Sequence, residues 1–332
     1  MSRECRFCAA PLQHTFCDLG QSPLSNAYVQ PAALDTADVY YPLHAWVCDQ
    51  CFLVQLEEFE SPADIFSDYA YFSSYSDSWL AHCRDYAEKM RSRLQLDASH
   101  QVVEIASNDG YLLQYFAGAG IPVLGVEPAA NVAAVAIDKG IPTVVEFFGV
   151  ECAKQLVENG QQADLLLGNN VLAHVPDIND FVAGMAIALK PGGVITMEFP
   201  HLMRLMAENQ FDTIYHEHFS YLSFTTVDRI FKEHGLRLFD VEEIPTHGGS
   251  LRIYGKHEDD ESKPIGERAI ELLKREEETG FKNLEYYADF ANKVKETKRK
   301  VLEFLITVRR EGKSVVGYGA PGKGNTLLNY CG

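Results

Sequence analysis

The sequence predicts an α/β protein on a mostly parallel sheet, with a small cysteine-rich unit before it and helices after it. Three observations carry this. Between residues 100 and 200, short apolar runs alternate with helical stretches of about 10–15 residues, the pattern of βαβ units. Two C-x-x-C pairs fall within the first 51 of 332 residues. A strand, a glycine-rich loop and a helix are again patterned over residues 313–332.

Bulk properties set bounds. A chain of 332 residues, 46% hydrophobic and 23% charged, has ordinary globular composition and can bury a sizeable core. At about 150 residues per domain it makes two or three domains. A net charge of −18 and a pI near 5.0 argue against nucleic acid as a partner, because phosphate binding needs a basic surface. No apolar run approaches the roughly 18 residues of a membrane span. The N-terminus MSRECRFCAAP lacks the apolar stretch of a secretory signal. A cytoplasmic protein, monomeric and without membrane association, is the expectation.

Residues 1–60 form the first unit. Cys5 and Cys8 make one pair, and Cys48 and Cys51 the other. Each pair can place two sulfurs on one turn, and two such turns make the tetrahedron that zinc prefers. Four protein ligands leave no open position for water, so the Zn2+ is structural. The competing reading, a thioredoxin-like redox motif, lacks the βαβ context it needs. Cys17, Cys83, Cys152 and Cys331 are scattered singly.

Residues 61–256 form the second unit. Residues 61–95 are an aromatic, helical lead-in containing Phe66, Tyr69, Tyr71, Phe72, Tyr75, Trp79 and Tyr86. The α/β series then runs QVVEIA (strand), YLLQYFAGAG (helix), PVLGVEP (strand), NVAAVAIDKG (helix), TVVEFF (strand), ECAKQLVENG (helix), DLLLGNN (strand), INDFVAGMAIALK (helix) and GVITMEFP (strand). HFSYLS, LRLFDVEEI and GSLRIYG read as further strands around the helix TTVDRIFKEHG, and a late strand–turn–strand puts an antiparallel edge on the sheet.

Residues 257–332 form the third unit. HEDDESKP at 257–264 is a charged linker, and 265–312 reads as amphipathic helices, with Val294, Val301, Leu305 and Val308 at heptad-like spacing. The strand and helix of 313–332 cannot bury their apolar faces alone, so they read as the first unit of a longer domain.

The functional signals begin at VVEIASNDG, residues 102–110. Asn108, Asp109 and Gly110 form the turn into the helix, and Glu127 closes the next strand, where an acidic side chain can accept both ribose hydroxyls of a nucleoside. The turn has only Gly110 where a pyrophosphate would require G-x-G-x-x-G. A nucleoside cofactor without phosphates, such as S-adenosylmethionine, does not need that cradle. An ordinary βα turn with a solvated Glu127 is the competing reading. GYGAPGKG does contain G-x-G-x-x-G, as Gly317, Gly319 and Gly322. By itself that reads as NAD binding, and equally as a diphosphate site on backbone N–H groups with Lys323. In HGGSLR, Gly248 and Gly249 let backbone approach a ligand and Arg252 can meet a phosphate; a tight hairpin turn is the alternative.

Tyr215, His216, Glu217 and His218 form the densest cluster of reactive side chains. If extended, the block pairs Tyr215 with Glu217 and His216 with His218; if a turn, Tyr215 and His218 converge. As a second metal site it lacks the i, i+4 spacing of zinc hydrolases.

Taken together, the chain resembles class I S-adenosylmethionine-dependent methyltransferases. More narrowly it is similar to sugar C-methyltransferases that carry an N-terminal zinc-binding domain and act on nucleotide-linked 4-keto-deoxy sugars. The carrying residues are the two C-x-x-C pairs, VEIASNDGYLL at 103–113, GVEP at 125–128, NNVLAHVPD at 169–177, KPGG at 190–193, EFPHL at 198–202, YHEHFSYLS at 215–223, HGGSLR at 247–252 and GYGAPGKGNTLLNY at 317–330. The resemblance implies a Rossmann-like methyltransferase domain and the truncated start of a C-terminal, Rossmann-like nucleotide-sugar-binding domain. It implies cofactor contacts from Glu104, Ala106, Asn108, Asp109, Gly110, Glu127, Pro128, Asn169 and Asn170. His218 is the implied base, with Tyr215, Glu217, His174 and either Tyr69 or Tyr71 beside it. His247, Gly248, Gly249, Arg252 and Lys323 are the implied holders of a substrate, for which the resemblance implies a dTDP-linked form. Ala106 and Ser107 depart from the family pattern, which has Gly or a similar small residue there. An NAD-dependent oxidoreductase and a non-catalytic nucleotide-sugar-binding protein are the rival readings.

Overall fold

The computed structural model describes residues 3–25, 28–61, 66, 69, 71–319 and 322–332. Parts of the aromatic lead-in, and Ala320 and Pro321 of the C-terminal glycine-rich turn, therefore lie outside the described residues.

The N-terminal unit contributes three strands, β1 (His14–Ser22), β2 (Tyr41–Val47) and β3 (Val54–Leu56). Helix α1 (Asp77–Leu94) follows; the Ser76 hydroxyl accepts the Trp79 N–H at its start, and Gln95 ends it in the left-handed region. The α/β series then runs β4 (Val102–Ile105), α2 (Leu113–Ala117), β5 (Val123–Val126), α3 (Ala130–Asp138), β6 (Thr143–Val144), α4 (Val150–Glu158), β7 (Ala163–Asn169), α5 (Ile178–Ala188) and β8 (Leu189–Pro200). After α6 (Leu202–Ala207) come β9 (Ser220–Tyr221), α7 (Phe224–Glu233), β10 (Leu236–Ile244) and β11 (Ser250–His257). The C-terminal helices are α8 (Glu267–Thr279), α9 (Leu284–Ala288), α10 (Phe290–Arg310) and α11 (Gly322–Cys331).

The main sheet has the order β10-β11-β8-β7-β4-β5-β6. β4, β5, β6, β7 and β8 run parallel, and β11 is antiparallel to both β8 and β10. The reversed strand is thus inserted beside β8, and β10 forms the edge. All residues of β4 and β5 are buried, as the uninterrupted apolar runs require of central strands covered on both faces. β6 is shorter than TVVEFF predicts, because Val145 and Phe147 are exposed beyond its two paired residues.

Two expectations are corrected here, and one open point is settled. HFSYLS, whose partner the sequence leaves open, contributes β9, which pairs with β3 and completes a second sheet of order β1-β2-β3-β9. Residues 313–319 form no strand, and Val316 and Tyr318 are exposed, since no neighbouring strand meets their backbone groups. The heptad-like seam of α10 is buried only at Phe290 and Val294; Leu305 is exposed. No helix among the described residues is long and apolar enough to cross a membrane.

Glu276 of α8 ties these layers together. Its buried carboxylate accepts from Phe224 N (2.8 Å), Thr225 N (2.7 Å), Thr225 Oγ1 (2.6 Å) and His201 Nε2 (2.6 Å). It satisfies the first donors of α7 from a distant helix, where the positive end of the helix dipole favours a negative charge.

Candidate active site and metal centre

The four paired cysteines converge as the spacing predicts. Their sulfurs lie within 4.8 Å of one another, with Cys5–Cys51 and Cys8–Cys48 at 3.5 Å. Zn–S bonds of about 2.3 Å in a tetrahedron put sulfurs about 3.8 Å apart, so the cluster fits a structural zinc. Each pair is a tight knuckle. Ala9 and Phe52 follow in left-handed conformation, and their N–H groups return to the carbonyls of Cys5 (2.9 Å) and Cys48 (3.0 Å). Gln55 Nε2 donates to Cys5 Sγ at 3.2 Å, a neutral partner for thiolate charge.

The cofactor turn has three alternating residues with positive φ: Ala106 (57°), Asn108 (48°) and Gly110 (75°). The left-handed conformations are thus kept although only one of the three is glycine. At Gly110 a Cβ would lie 3.1 Å from Ile141 Cγ1, so the position is closed by packing as well as by φ. Asn108 N and Ala129 N donate to opposite oxygens of Glu127, at 2.8 and 2.9 Å. That fixes the carboxylate and leaves lone pairs on both oxygens. Nδ2 of Asn169 is buried without a hydrogen-bond partner among the described residues, and the buried Glu104 carboxyl lies beside the Tyr111 hydroxyl and the backbone of Leu113. Burial raises the Glu104 carboxyl well above the usual range. A buried carboxyl, an unpartnered amide donor and a pre-set ribose acceptor suit the amino acid and nucleoside ends of S-adenosylmethionine.

Asn170 (φ 57°) passes its N–H to the Glu198 carbonyl at 2.8 Å, and Pro128 follows Glu127 between β5 and α3. Asp109 is turned toward Lys139, which donates to its Oδ2 at 3.1 Å and to its carbonyl at 3.0 Å, so its side chain braces the turn. Asn108 also grips the lead-in: Oδ1 accepts Ser73 N (2.9 Å) and Nδ2 donates to the Tyr71 carbonyl (3.1 Å).

Residues 215–218 form a turn, with His218 N–H donating to the Tyr215 carbonyl at 3.0 Å. Tyr215 and His218 therefore converge, their ring centroids 4.1 Å apart. His174, at the end of the loop after β7, meets His218 edge-on at 4.7 Å. Phe66 stands on His174 at 5.7 Å and touches Tyr69 at 5.8 Å. Tyr69 is partly buried and feels the charges of Glu217 and Glu127, whereas Tyr71 is 54% exposed. The geometry thus favours Tyr69 of the two candidates. His216 turns the other way, toward the Pro42 carbonyl (3.1 Å) and Phe59.

The electrostatics keep these groups neutral. His218 Nδ1–H donates to the Thr213 carbonyl at 2.9 Å; a carbonyl only accepts, so the neutral ring has its lone pair on Nε2. Desolvation, aided by the charges of His247 and Lys323 and partly offset by Thr213, lowers the imidazole from 6.5 to about 4. Burial and the neighbouring His218 hold His174 well below the usual range. Burial and Glu217 push the Tyr215 phenol up.

The opposite wall was only partly legible. Trp79 stacks on His82 at 4.9 Å and meets His247 edge-on at 5.6 Å. His82 Nε2 lies 2.9 Å from Glu198 Oε2. Burial drives the Glu198 carboxyl up, but His82 and Arg252 outweigh it and hold it low. Arg252 corrects an expectation. Its Nε donates to Glu198 (2.7 Å) and its Nη1 to Glu242 (3.1 Å), so two carboxylates neutralise it and it does not present a free cation to a phosphate. An acidic residue inside the apolar run VITMEFP was the signal that could have exposed Glu198. Gly248 (φ 86°) and Gly249 (φ 110°) need glycine, and their carbonyls accept Gln210 Nε2 (2.8 Å) and His201 N (3.0 Å). Lys323 comes from α11, whose Thr326 hydroxyl donates to the Ile214 carbonyl at 2.9 Å beside the turn at residues 215–218.

The seven-stranded α/β sheet, the cofactor turn and the four-cysteine knuckle together define a methyltransferase that uses S-adenosylmethionine and carries a structural zinc site. Three family models match in tandem: a "Putative zinc binding domain" over residues 5–66, a "Methyltransferase domain" over 79–241 and a "C-methyltransferase C-terminal domain" over 245–332. The chain is 34% identical over 331 residues to the C-methyltransferase NovU of Streptomyces niveus, covering 99% of this chain and 78% of that protein. It belongs to this family of C-methyltransferases. The likeness to the ubiquinone biosynthesis O-methyltransferase of Methylobacterium nodulans is 32% over 116 residues, 34% of this chain and 45% of that one. An S-adenosylmethionine-dependent methyltransferase structure from Clostridium acetobutylicum aligns at a TM-score of 0.44 with 12% identity, covering 54% of this chain and 92% of that one, too remote to bear on function.

Proposed function

We propose that the chain methylates the carbon next to the ketone of a nucleotide-linked 4-keto-deoxy sugar, with His218 as general base. The observation carrying this is the tautomer of His218: Nδ1–H is tied to Thr213, which leaves Nε2 as a free acceptor between Tyr215 and His174. A hydrogen next to a ketone is acidic because its loss gives an enolate, and a neutral imidazole can remove it. When bound, S-adenosylmethionine supplies an electrophilic methyl group. Tyr215 and Tyr69, both held protonated, are the donors placed to stabilise the enolate oxygen. Phe66, packed on His174 and Tyr69, supplies an apolar surface beside the histidines. Lys323 lies close enough to lower His218 by its charge, and in a chain of net charge −18 it supplies a local cation for an anionic nucleotide sugar; burial lowers His247, which can offer a neutral hydrogen-bonding ring instead.

The test uses dTDP-4-keto-6-deoxyglucose as probe, with methyl-labelled S-adenosylmethionine. Label is expected in a carbon of the sugar. In deuterated water without cofactor, the hydrogen beside the ketone is expected to exchange, and His218→Gln to abolish exchange while cofactor binding by calorimetry is unchanged. Full exchange in His218→Gln would remove His218 from the role. Label on oxygen would overturn carbon transfer.

A further inference from the structure

The reaction outlined above makes no use of the Arg6 guanidinium. Arg6 sits inside the first zinc knuckle, between Cys5 and Cys8. Its backbone N–H donates to Gln55 Oε1 at 2.9 Å, and Gln55 donates in turn to Cys5 Sγ at 3.2 Å. Asn179 Nδ2 holds the carbonyls of Arg6 (3.2 Å) and Phe7 (2.9 Å), which fixes the knuckle on α5. The side chain then leaves the metal centre. Nη1 donates to the Pro176 carbonyl at 2.6 Å and Nη2 to the Leu56 carbonyl at 2.5 Å, and the guanidinium carbon stands 5.4 Å from the centre of the Phe219 ring.

Those endpoints are the loop that carries His174 and the end of β3, which is itself bound to the segment of His218. Pro176 lies two residues beyond His174. Phe219 directly follows His218, and its carbonyl accepts the Leu56 N–H at 3.0 Å. One planar fork therefore spans both segments whose histidines meet at 4.7 Å. We propose that Arg6 is a positioning residue for methyl transfer: anchored in the knuckle, its guanidinium sets the loop of His174 against the loop of His218 and keeps Nε2 of His218 where it meets substrate. The proposal rests on the reading of His218 as base. An ordinary interface hydrogen bond needs only one acceptor of any kind. Here both acceptors are backbone carbonyls, one within two residues of a candidate catalytic histidine and the other on the strand that grips the second. Two divergent carbonyls are met by a fork and not by an ammonium, so lysine does not replace it.

Arg6→Lys and Arg6→Met are tested in the full, zinc-loaded chain, with zinc content, thermal midpoint and S-adenosylmethionine affinity measured alongside. With dTDP-4-keto-6-deoxyglucose as probe, kcat is expected to fall by about 10-fold in Arg6→Lys and about 100-fold in Arg6→Met, the size that small misplacements cause. Zinc content and cofactor affinity stay unchanged. The second readout needs no substrate. Titration of the His218 ring by 15N-resolved NMR is expected to move up from about 4 toward its ordinary 6.5 as the loosened loops admit water. The groups around that ring are His174, Tyr215, Tyr221, His247 and Lys323, all unchanged in these variants. Wild-type kcat and an unmoved His218 titration in Arg6→Lys would overturn the proposal, as would activity loss that merely tracks loss of zinc or folded protein. Should His218 fail as base in the exchange experiment, the titration still reads whether Arg6 holds the loops.

Discussion

The acidic limb of the pH–rate profile gives the sharpest test of the site. The perturbation is pH alone, read as kcat/KM for methyl transfer, which reports the free enzyme. In the proposed mechanism activity needs the neutral imidazole of His218, whose midpoint is lowered to about 4. At pH 5.5 such a group is about 97% neutral, against about 9% for an ordinary histidine at 6.5, so the rate retained there is about 10-fold higher than an unperturbed base allows. The profile is expected to stay flat from pH 8 to about 5 and then fall roughly tenfold per unit below pH 4. Lys323→Met, which removes a positive neighbour, shifts the limb upward. A wild-type limb centred at pH 6 or above would refute the reasoning, because His218 would then be neither desolvated nor the titrating base.

Three further outcomes are expected. Elemental analysis should find about one zinc per chain, and Cys48→Ser should lower the thermal midpoint more than it changes kcat in the protein that remains folded, since structural zinc contributes to folding. Ala106→Gly relieves a left-handed alanine (φ 57°) and should stabilise the chain by about 1 kcal/mol in urea titrations; a loss of stability would mean that the Ala106 methyl packs better than its backbone strains. Glu276→Ala orphans two buried N–H groups of α7 and the ring of His201, and should cost about 3–5 kcal/mol of unfolding free energy, with a loss under 1 kcal/mol showing that water replaces the carboxylate.

Legibility followed the range of the forces involved. The cysteine knuckles and the βα turns are local, and their spacing suffices to place Cys5, Cys8, Cys48 and Cys51, or Gly110 and Glu127. The turn at Tyr215 was one of two open readings, and only the Tyr215–His218 backbone hydrogen bond settles which side chains converge. Strand period reveals that HFSYLS can pair but not with which edge, so the partnership of β9 with β3 was hidden. Arg252 looked like a phosphate ligand because its neutralising carboxylates, Glu198 and Glu242, stand on two other strands. Residues 313–319 carry strand propensity, which has no effect without a partner.

The placement of β9 also bears on how the chain matures. Arg6 and the Pro176 carbonyl it reaches are 170 residues apart in sequence, whereas the cofactor turn is assembled within the α/β series itself. Closing so long a loop has an entropic cost that local βα pairing does not bear, and long-range contacts of this kind form slowly. A refolding chain is thus expected to regain cofactor affinity before the knuckle docks. If the knuckle sets the histidines as proposed, recovery of catalysis follows as a second, slower phase.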